Sequence, residues 1–198
     1  MSIFRRFYSN LNFRFARSED AIDMSRVLNR IVKRMPVPSW FAFMKDEEIY
    51  SLIESEGFSI LALSDPSLSV TEFKLEKPEI LAMILIRTFA LEKLITDILF
   101  SMDISPEHTA IMEAVVVHEQ LRGKGLQVFL THLAEKELID RGFLTLVATV
   151  HPENTYSLNN FLKSGYQIVG EYSLYSGQRR FLVYKTLANI EHNLNFIC

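Results

Sequence analysis

Apolar and polar residues repeat along this chain with two periods, which predict strands and helices in turn. Period-two alternation from Asn12 to Arg17 predicts an opening strand. From Ser18, the predicted N-cap, apolar residues recur every three or four positions as far as about Arg34, which predicts a helix. A second helix is predicted from Asp46 to Glu56, with Gly57 as its C-cap.

The rest of the chain continues the same alternation of elements. Further strands are predicted in apolar runs bounded by turn residues, at Phe58–Leu63, Glu79–Phe89, 109–117, Leu144–Val150, Tyr166–Tyr175 and Arg180–Leu187. Helical spacing predicts three more helices, at 91–102, Gly123–Arg141 and Thr155–Ser164. A turn is predicted at 65–67, whereas 68–78 shows no clear period. This order predicts a mixed α/β sheet with helices on its faces.

Composition and charge narrow the class of protein. With 198 residues, 48% of them hydrophobic, the chain can bury one substantial core, and we predict a single domain over 1–198. The formal net charge of −3 provides no global field for nucleic acid or an anionic membrane. The only cysteine, Cys198, favours a reducing cytoplasm and no metal site. The most apolar run, Ile80 to Ile86, is too short to span a bilayer, so no membrane association is expected.

The segment Gln120-Leu121-Arg122-Gly123-Lys124-Gly125 carries the most specific chemistry. It lies between an apolar, strand-like run (Ile111–Val117) and an amphipathic, helix-like run (Leu126–Leu138). A glycine-rich turn that opens a helix presents unpaired N–H groups and the positive end of the helix dipole, which suits a phosphate or pyrophosphate. The alternative interpretation is a tight strand-to-helix turn without a ligand.

Two segments together resemble a known family. Val115 to Gln127 resembles the strand–turn–helix motif, Q/R-x-x-G-x-G/A, of the GNAT superfamily of acyl-CoA-dependent N-acyltransferases. Further along, His151–Asn154 and Ser157–Tyr166 resemble the family's asparagine-containing strand exit and short helix. The resemblance implies a GNAT-like fold with a mostly antiparallel central sheet flanked by helices. It also implies an enzyme that transfers an acetyl group from acetyl-CoA to an amine.

The resemblance implies a role for each residue of the motif. The backbone N–H groups that would bind the pyrophosphate of coenzyme A are those of Arg122, Gly123, Lys124, Gly125 and Leu126. Gln120 occupies the Q/R position, and Asn154 would contact the cofactor or an ordered water near the thioester, with Ser157 beside it. The strand before the turn and the strand after the long helix would splay apart to admit pantetheine. A backbone N–H of Val115, Val116 or Val117 would then stabilise the oxyanion.

The general base has three candidates. Glu113 is spaced to share a strand face with Val115 and Val117, and the family often has a carboxylate on this strand that acts directly or through water. Its alternative role is to pair with a neighbouring backbone group or cation. His118 and His151 follow predicted core strands, where open α/β sheets tend to bind ligands, or they are solvated strand-end histidines. We predict Glu113 and His151 as the catalytic residues.

The general acid cannot be named from the sequence. The family's usual acid is a tyrosine seven residues after the asparagine, and Phe161 stands at that position. The thiolate then leaves without this donor, or Tyr156 or Tyr166 replaces it, or the protein binds acyl-CoA without turnover.

The acceptor is predicted only as a small-molecule or peptide amine. The helix at 91–102 is either an acceptor wall or packs on the sheet or on a partner subunit, which leaves a homodimer possible. Trp40, Phe41 and Phe43 form an aromatic loop that is either part of the core or an acceptor contact. Two rival functions remain: a non-catalytic acyl-CoA-binding module, and a mononucleotide-binding α/β protein, although the chain lacks the complete fingerprints of the latter.

Overall fold

The computed structural model describes residue 8 and residues 10–35, 37–41, 44–64, 79–175 and 177–187. The strands are β1 (Leu11–Phe15), β2 (Gly57–Ser64), β3 (Ile80–Arg87), β4 (Thr109–Val117), β5 (Thr145–Val150), β6 (Gln167–Leu174) and β7 (Gln178–Thr186). The α-helices of these ranges are α1 (Ala21–Lys33), α2 (Asp46–Ser51), α3 (Lys93–Ser101), α4 (Leu126–Asp140) and α5 (Thr155–Lys163). None of these helices is long and apolar enough to cross a membrane.

The seven strands form one sheet in the order β1-β2-β3-β4-β5-β7-β6. Only β4 and β5 run parallel, and every other neighbouring pair is antiparallel. The prediction of a mixed, mostly antiparallel sheet flanked by helices is therefore confirmed.

Three apolar clusters hold the helices on the sheet. On one face, α4 and α5 pack through residues such as Leu130 and Phe161 against the middle of the sheet. On the other face, α1 and α2 cover the half around β3, where Met24 belongs to the cluster. On that same face, α3 covers β4, β5 and β7 through Ile95 and Leu99. Helix α3 thus packs on the sheet, as one of its two interpretations proposed.

The two predicted caps have different outcomes. Ser18 is not an N-cap, because it begins a 3₁₀ turn (Ser18–Asp20) in which the Asp20 carboxylate accepts the Arg17 N–H at 2.7 Å. Gly57 is the C-cap of the π-helical turn Leu52–Glu56 that continues α2, as predicted, but its backbone is extended rather than left-handed, and it is also the first residue of β2. A Cβ at Gly57 would overlap the carbonyl oxygen of Ile86 on β3. Close strand packing, rather than a left-handed conformation, therefore requires a glycine at this helix end.

Smaller differences concern the apolar stripe of α3 and the loops. Leu94 lies in the helix predicted at 91–102 from apolar residues at helical spacing, yet 39% of it is exposed. Phe43, Ser176 and the segments predicted as the turn 65–67 and the irregular 68–78 lie outside the described residues.

Candidate active site

The central feature of the site is a gap between two parallel strands. Strands β4 and β5 pair from Thr109–Thr145 to Met112–Ala148 and no further, although β4 continues to Val117 and β5 to Val150. Glu113 marks the point where they diverge. On the neighbouring strand β3, Leu85 pairs with Ala114 and Ile86 with Met112, so Glu113 is the extra residue of a β-bulge.

The bulge sets which backbone groups face the gap. His118 donates its N–H to Leu81 O of β3 at 2.8 Å. Because successive residues of a strand point their N–H and C=O groups to opposite sides, those of Val116 also face β3, and those of Val115 and Val117 face the gap. Two of the three predicted valines can therefore offer backbone groups there, and Val116 cannot.

A glycine turn closes the end of β4. After a 3₁₀ turn, Glu119–Leu121, Gly123 and Gly125 have φ of 73° and 81°, the left-handed region that favours glycine. Helix α4 begins at Leu126 rather than at Gly123 as predicted, with Gly125 as its N-cap. The Tyr8 hydroxyl donates to Lys124 O at 2.5 Å and so fastens the turn to the segment before β1.

The turn leaves a row of N–H groups without acceptors. In the described ranges, no N–H from Gly123 to Val128 donates a hydrogen bond. Arg122 departs from the prediction, since its N–H donates to Glu119 O at 3.3 Å. Residues 122–125 are exposed, and a Cβ at Gly123 would have no atom within 4 Å. These free donors at a helix start fit a pyrophosphate.

Arg122 and Gln120 of the motif both make local hydrogen bonds. Nε of Arg122 donates to Val117 O at 3.2 Å, at the mouth of the gap. The N–H of Gln120 donates to Nδ1 of His118 at 3.4 Å, and its side chain is at the surface.

On the face of α1 to α3, a polar cluster lies where the strands diverge. Arg87 Nε donates to Glu113 Oε1 at 2.5 Å, and Arg87 also pairs with Glu56. Arg87 pairs with Ile111 of β4, which belongs to the α3 cluster, so Arg87 and the Glu113 that it contacts lie on the face of α3. Val115 and Val117 pack on the opposite face, toward α4. The prediction that Glu113 shares a face with these valines is therefore wrong, because the bulge shifts the alternation by one residue.

His151 lies on the same face, beyond the end of β5. Its ring stacks on Trp40, with 6.2 Å between the ring centroids and 25° between the planes. Its Nδ1 accepts the Glu153 N–H at 3.2 Å, so a neutral ring carries its proton on Nε2. The indole N–H of Trp40 is shielded from solvent and has no partner among the described residues. The structure thus brings both predicted catalytic residues to one face of the sheet, whereas His118 contacts the turn.

Comparison with known proteins identifies this arrangement. A model of the acetyltransferase (GNAT) family matches residues 31–166. The chain belongs to the GNAT acetyltransferase family. The predictions of the family, of an acetyltransferase and of acetyl-CoA as the cofactor are confirmed at the level of the family. A search of curated proteins found no significant match.

Solved GNAT structures share the fold at low sequence identity. NAA60 from Arabidopsis thaliana, solved in complex with acetyl-CoA, is 14% identical with a TM-score of 0.67, covering 89% of this chain and 98% of that one. An N-acetyltransferase from Staphylococcus aureus Mu50 is 16% identical, with a TM-score of 0.62 and 90% and 99% coverage. The ribosomal-protein-S18-alanine N-acetyltransferase from Escherichia coli is 12% identical, with a TM-score of 0.61 and 89% and 94% coverage.

The second GNAT-like segment forms the start of α5. Asn154 is the N-cap, and its Oδ1 accepts the Ser157 N–H at 3.2 Å. Gln127 of α4 bonds to Asn160 at 2.9 Å and reaches the Ser157 hydroxyl at 3.5 Å. This side-chain cluster fixes α5 to the helix that follows the glycine turn. Contact of Asn154 and Ser157 with the cofactor stays a prediction.

The two tyrosines considered as general acids do not face the gap. Tyr156 is 81% exposed. Tyr166 is buried and donates to Glu135 Oε1 at 3.0 Å, with its ring edge against Phe161. Phe161 itself is a core residue, 4% exposed.

The sequence analysis missed two residues of this site. Arg87 ends an apolar strand, and a lone cation in that position was a usable signal. Tyr8 precedes the first predicted strand, where no period indicates what it contacts.

Proposed function

We propose that this GNAT protein transfers an acetyl group from acetyl-CoA to a primary amine, of a small molecule or a peptide, by direct attack in a ternary complex. The observation that carries the proposal is the gap beyond Met112–Ala148, which opens next to a turn with free N–H groups. Holding two reactants side by side accounts for much of the rate in such a transfer.

The residues of the gap and the turn fit the donor. The N–H groups of Gly123 to Leu126 would bind the diphosphate of coenzyme A, and the backbone of Val115 and Val117 would pair with the pantetheine arm. Bound acetyl-CoA supplies an acyl group activated as a thioester. Asn154 and Ser157, at the start of α5, would border the same arm.

Glu113 would act as the base, directly or through water. Its Oε1 is held by Arg87, which fixes the carboxylate where the strands diverge and leaves Oε2 for the amine proton. His151 would assist from the end of β5. The backbone N–H of Glu153 donates to Nδ1 of His151, so a neutral His151 carries its proton on Nε2. This Nε2–H would be the donor to the substrate.

A change at the turn tests the cofactor site. Gly123→Glu should lower CoA affinity at least roughly 100-fold, because a carboxylate would enter the space meant for the diphosphate. Gly142→Glu is the matched control, since Gly142 also has positive φ and no neighbour within 4 Å of a Cβ, but at the far end of α4. Calorimetric titration with CoA would measure the affinity of both variants, and only Gly123→Glu should bind more weakly than wild type. Equal affinities would contradict the pyrophosphate assignment.

A change at Glu113 tests catalysis. Glu113→Gln should lower kcat roughly 100-fold with unchanged CoA affinity, because it removes the proton acceptor. Glu56→Gln is the control, since Glu56 contacts the same Arg87. Acetyl transfer to a panel of a peptide α-amine, a lysine peptide and a polyamine would be followed by release of free thiol. Equal losses in both variants would indicate a structural ion pair instead of a base, and His151→Asn would be measured alongside.

The second candidate is a non-catalytic acyl-CoA-binding module, favoured by Phe161 in place of the family's tyrosine. Tight CoA binding without turnover on any amine of the panel would support it. A cytoplasmic location and a homodimer also stay predictions, which cell fractionation and sedimentation would test.

A further inference from the structure

A tyrosine of the β6–β7 hairpin reaches the point where β4 and β5 diverge. The hydroxyl of Tyr175 lies 3.1 Å from Oγ1 of Thr149. The last residue pair between β4 and β5 is Met112–Ala148. Thr149 is the next residue of β5, and Glu113 is the next residue of β4. Thr149 alternates with Ala148 and shares its face with Val147, so its side chain lies on the side of α3, where Glu113 also lies.

The position of Tyr175 is built into the fold. Its ring packs against the α3 cluster, and the guanidinium carbon of the buried Arg180 lies 6.0 Å from its centroid. Its backbone has φ of 50°, a left-handed conformation that is unfavourable for a tyrosine. Residues held in such conformations persist because their surroundings fix them, and they concentrate at functional sites.

The phenol remains protonated at any ordinary pH. Burial raises the pKa of Tyr175 to about 12; the hydrogen bond with Thr149 acts against this shift, and the charge of Glu113 adds to it. A side chain of this kind donates a proton or a hydrogen bond and does not act as a base.

The Tyr175 hydroxyl offers a proton donor that the position of the family's tyrosine, Phe161, does not provide. Phe161 has no hydroxyl, Tyr166 donates to Glu135, and Tyr156 points to solvent. A donor bound by its diphosphate at the turn would extend along the gap from Val117 toward Glu113, and its thioester end would then approach the Tyr175 hydroxyl at the point of divergence.

We propose that Tyr175 is the proton donor to the sulfur of the leaving coenzyme A, an inference that rests on the proposed function. The amine nitrogen bonds to the acyl carbon, and the carbon–sulfur bond breaks with its electron pair going to sulfur. The Tyr175 O–H gives its proton to that sulfur. The nitrogen gives one proton to Glu113, which returns it through water to the phenolate. The net change is the movement of one proton from nitrogen to sulfur.

A binding cycle tests this contact independently of turnover. CoA and desulfo-CoA, which lacks the sulfur, would be titrated calorimetrically into wild type and Tyr175→Phe at about pH 8.5, where a thiol is half ionised. In wild type, CoA should bind about tenfold or more tighter than desulfo-CoA, because the hydroxyl donates to the thiolate. In Tyr175→Phe this preference should disappear, while affinity for desulfo-CoA stays unchanged.

Tyr184→Phe is the matched control. Tyr184 also packs against the α3 cluster, but its hydroxyl donates to Gln167 at 3.3 Å. This variant should keep the preference for CoA and the wild-type kcat, whereas Tyr175→Phe should lower kcat roughly 100-fold on the amine panel. A preference for CoA that survives in Tyr175→Phe, or a wild-type kcat in that variant, would overturn the proposal.

The outcome for wild type separates the two inferences. If wild type binds neither CoA nor desulfo-CoA, the proposed function fails. If wild type binds CoA and transfers acetyl groups, and Tyr175→Phe behaves in the same way, only the role of Tyr175 is wrong.

Discussion

Glu135 is a carboxylate in the core, 1% exposed, on the face of α4 that packs on the sheet. Lys185 of β7 lies 2.9 Å from both of its oxygens, Tyr166 donates to it, and Nδ1 of His132 lies 3.1 Å away. A buried charge is tolerated only when it is paired and hydrogen-bonded, so these contacts are mutually dependent.

Removing the cation should reveal this dependence. Lys185→Met should lower the free energy of unfolding by about 3–5 kcal/mol, because it leaves Glu135 buried without its countercharge. Lys93→Met, which breaks an exposed pair with Asp97, should cost less than about 0.5 kcal/mol. Urea denaturation at neutral pH would measure both.

The same cluster has a pH signature. Burial opposes the charge of Glu135, but His132 and Lys185 prevail and hold its pKa below the usual range. Its contribution is therefore present above about pH 4.3, its unfolded pKa, and is lost as pH falls through the folded pKa. The deficit of Lys185→Met should then shrink at acid pH, where Glu135 is protonated. A deficit that does not vary with pH would contradict this account.

Tyr166 titrates at the opposite end of the scale. Its burial, and then the charge of Glu135, raise its pKa well above 10. Its contribution is present below about pH 10 and is lost as pH rises through the folded pKa.

At the scale of elements, the start of β2 controls how closely it approaches β3. Gly57 pairs with Arg87, the residue that holds Glu113. Gly57→Ala should lower stability by about 1–3 kcal/mol, because the methyl group would meet the rigid backbone of Ile86. Gly170→Ala is the control, since its Cβ would meet only the Tyr172 side chain, which can move. Thermal denaturation would compare them, and equal losses would contradict the account.

Elements with a strong period could be predicted from the sequence. Helix α4 has four buried apolar residues at helical spacing, Leu126, Leu130, Ala134 and Leu138, and all four lie within the predicted amphipathic run Leu126–Leu138. The hairpin of β6 and β7 and the short helix α5 followed from glycines and apolar runs. The glycine turn was also predictable, because the left-handed backbone of Gly123 and Gly125 depends on local residue type and not on distant contacts.

Features that depend on pairing between distant strands could not be predicted. A bulge adds one residue without changing the apolar pattern, so the face of Glu113 was assigned wrongly. The ion pair of Arg87 joins residues 26 positions apart, and the Tyr175–Thr149 contact also spans 26. No local period encodes such contacts.

At the scale of the molecule, the sheet consists of two parts joined by four residue pairs between β4 and β5. Beyond them, Val115 and Val117 present edge groups to the gap. CoA binding should slow amide exchange at these two residues, while Val116, already bonded to β3, changes little. Residue-resolved hydrogen exchange with and without CoA would measure this, and equal protection of all three would contradict binding in the gap.

The open stretch of β4 also has a mechanical consequence. An arm that pairs with both edges would act as an additional strand and extend the hydrogen-bonded ladder across the middle of the sheet. Pulling the halves apart in an optical trap should then require more force once the donor is bound, and the excess should vanish on release of the product.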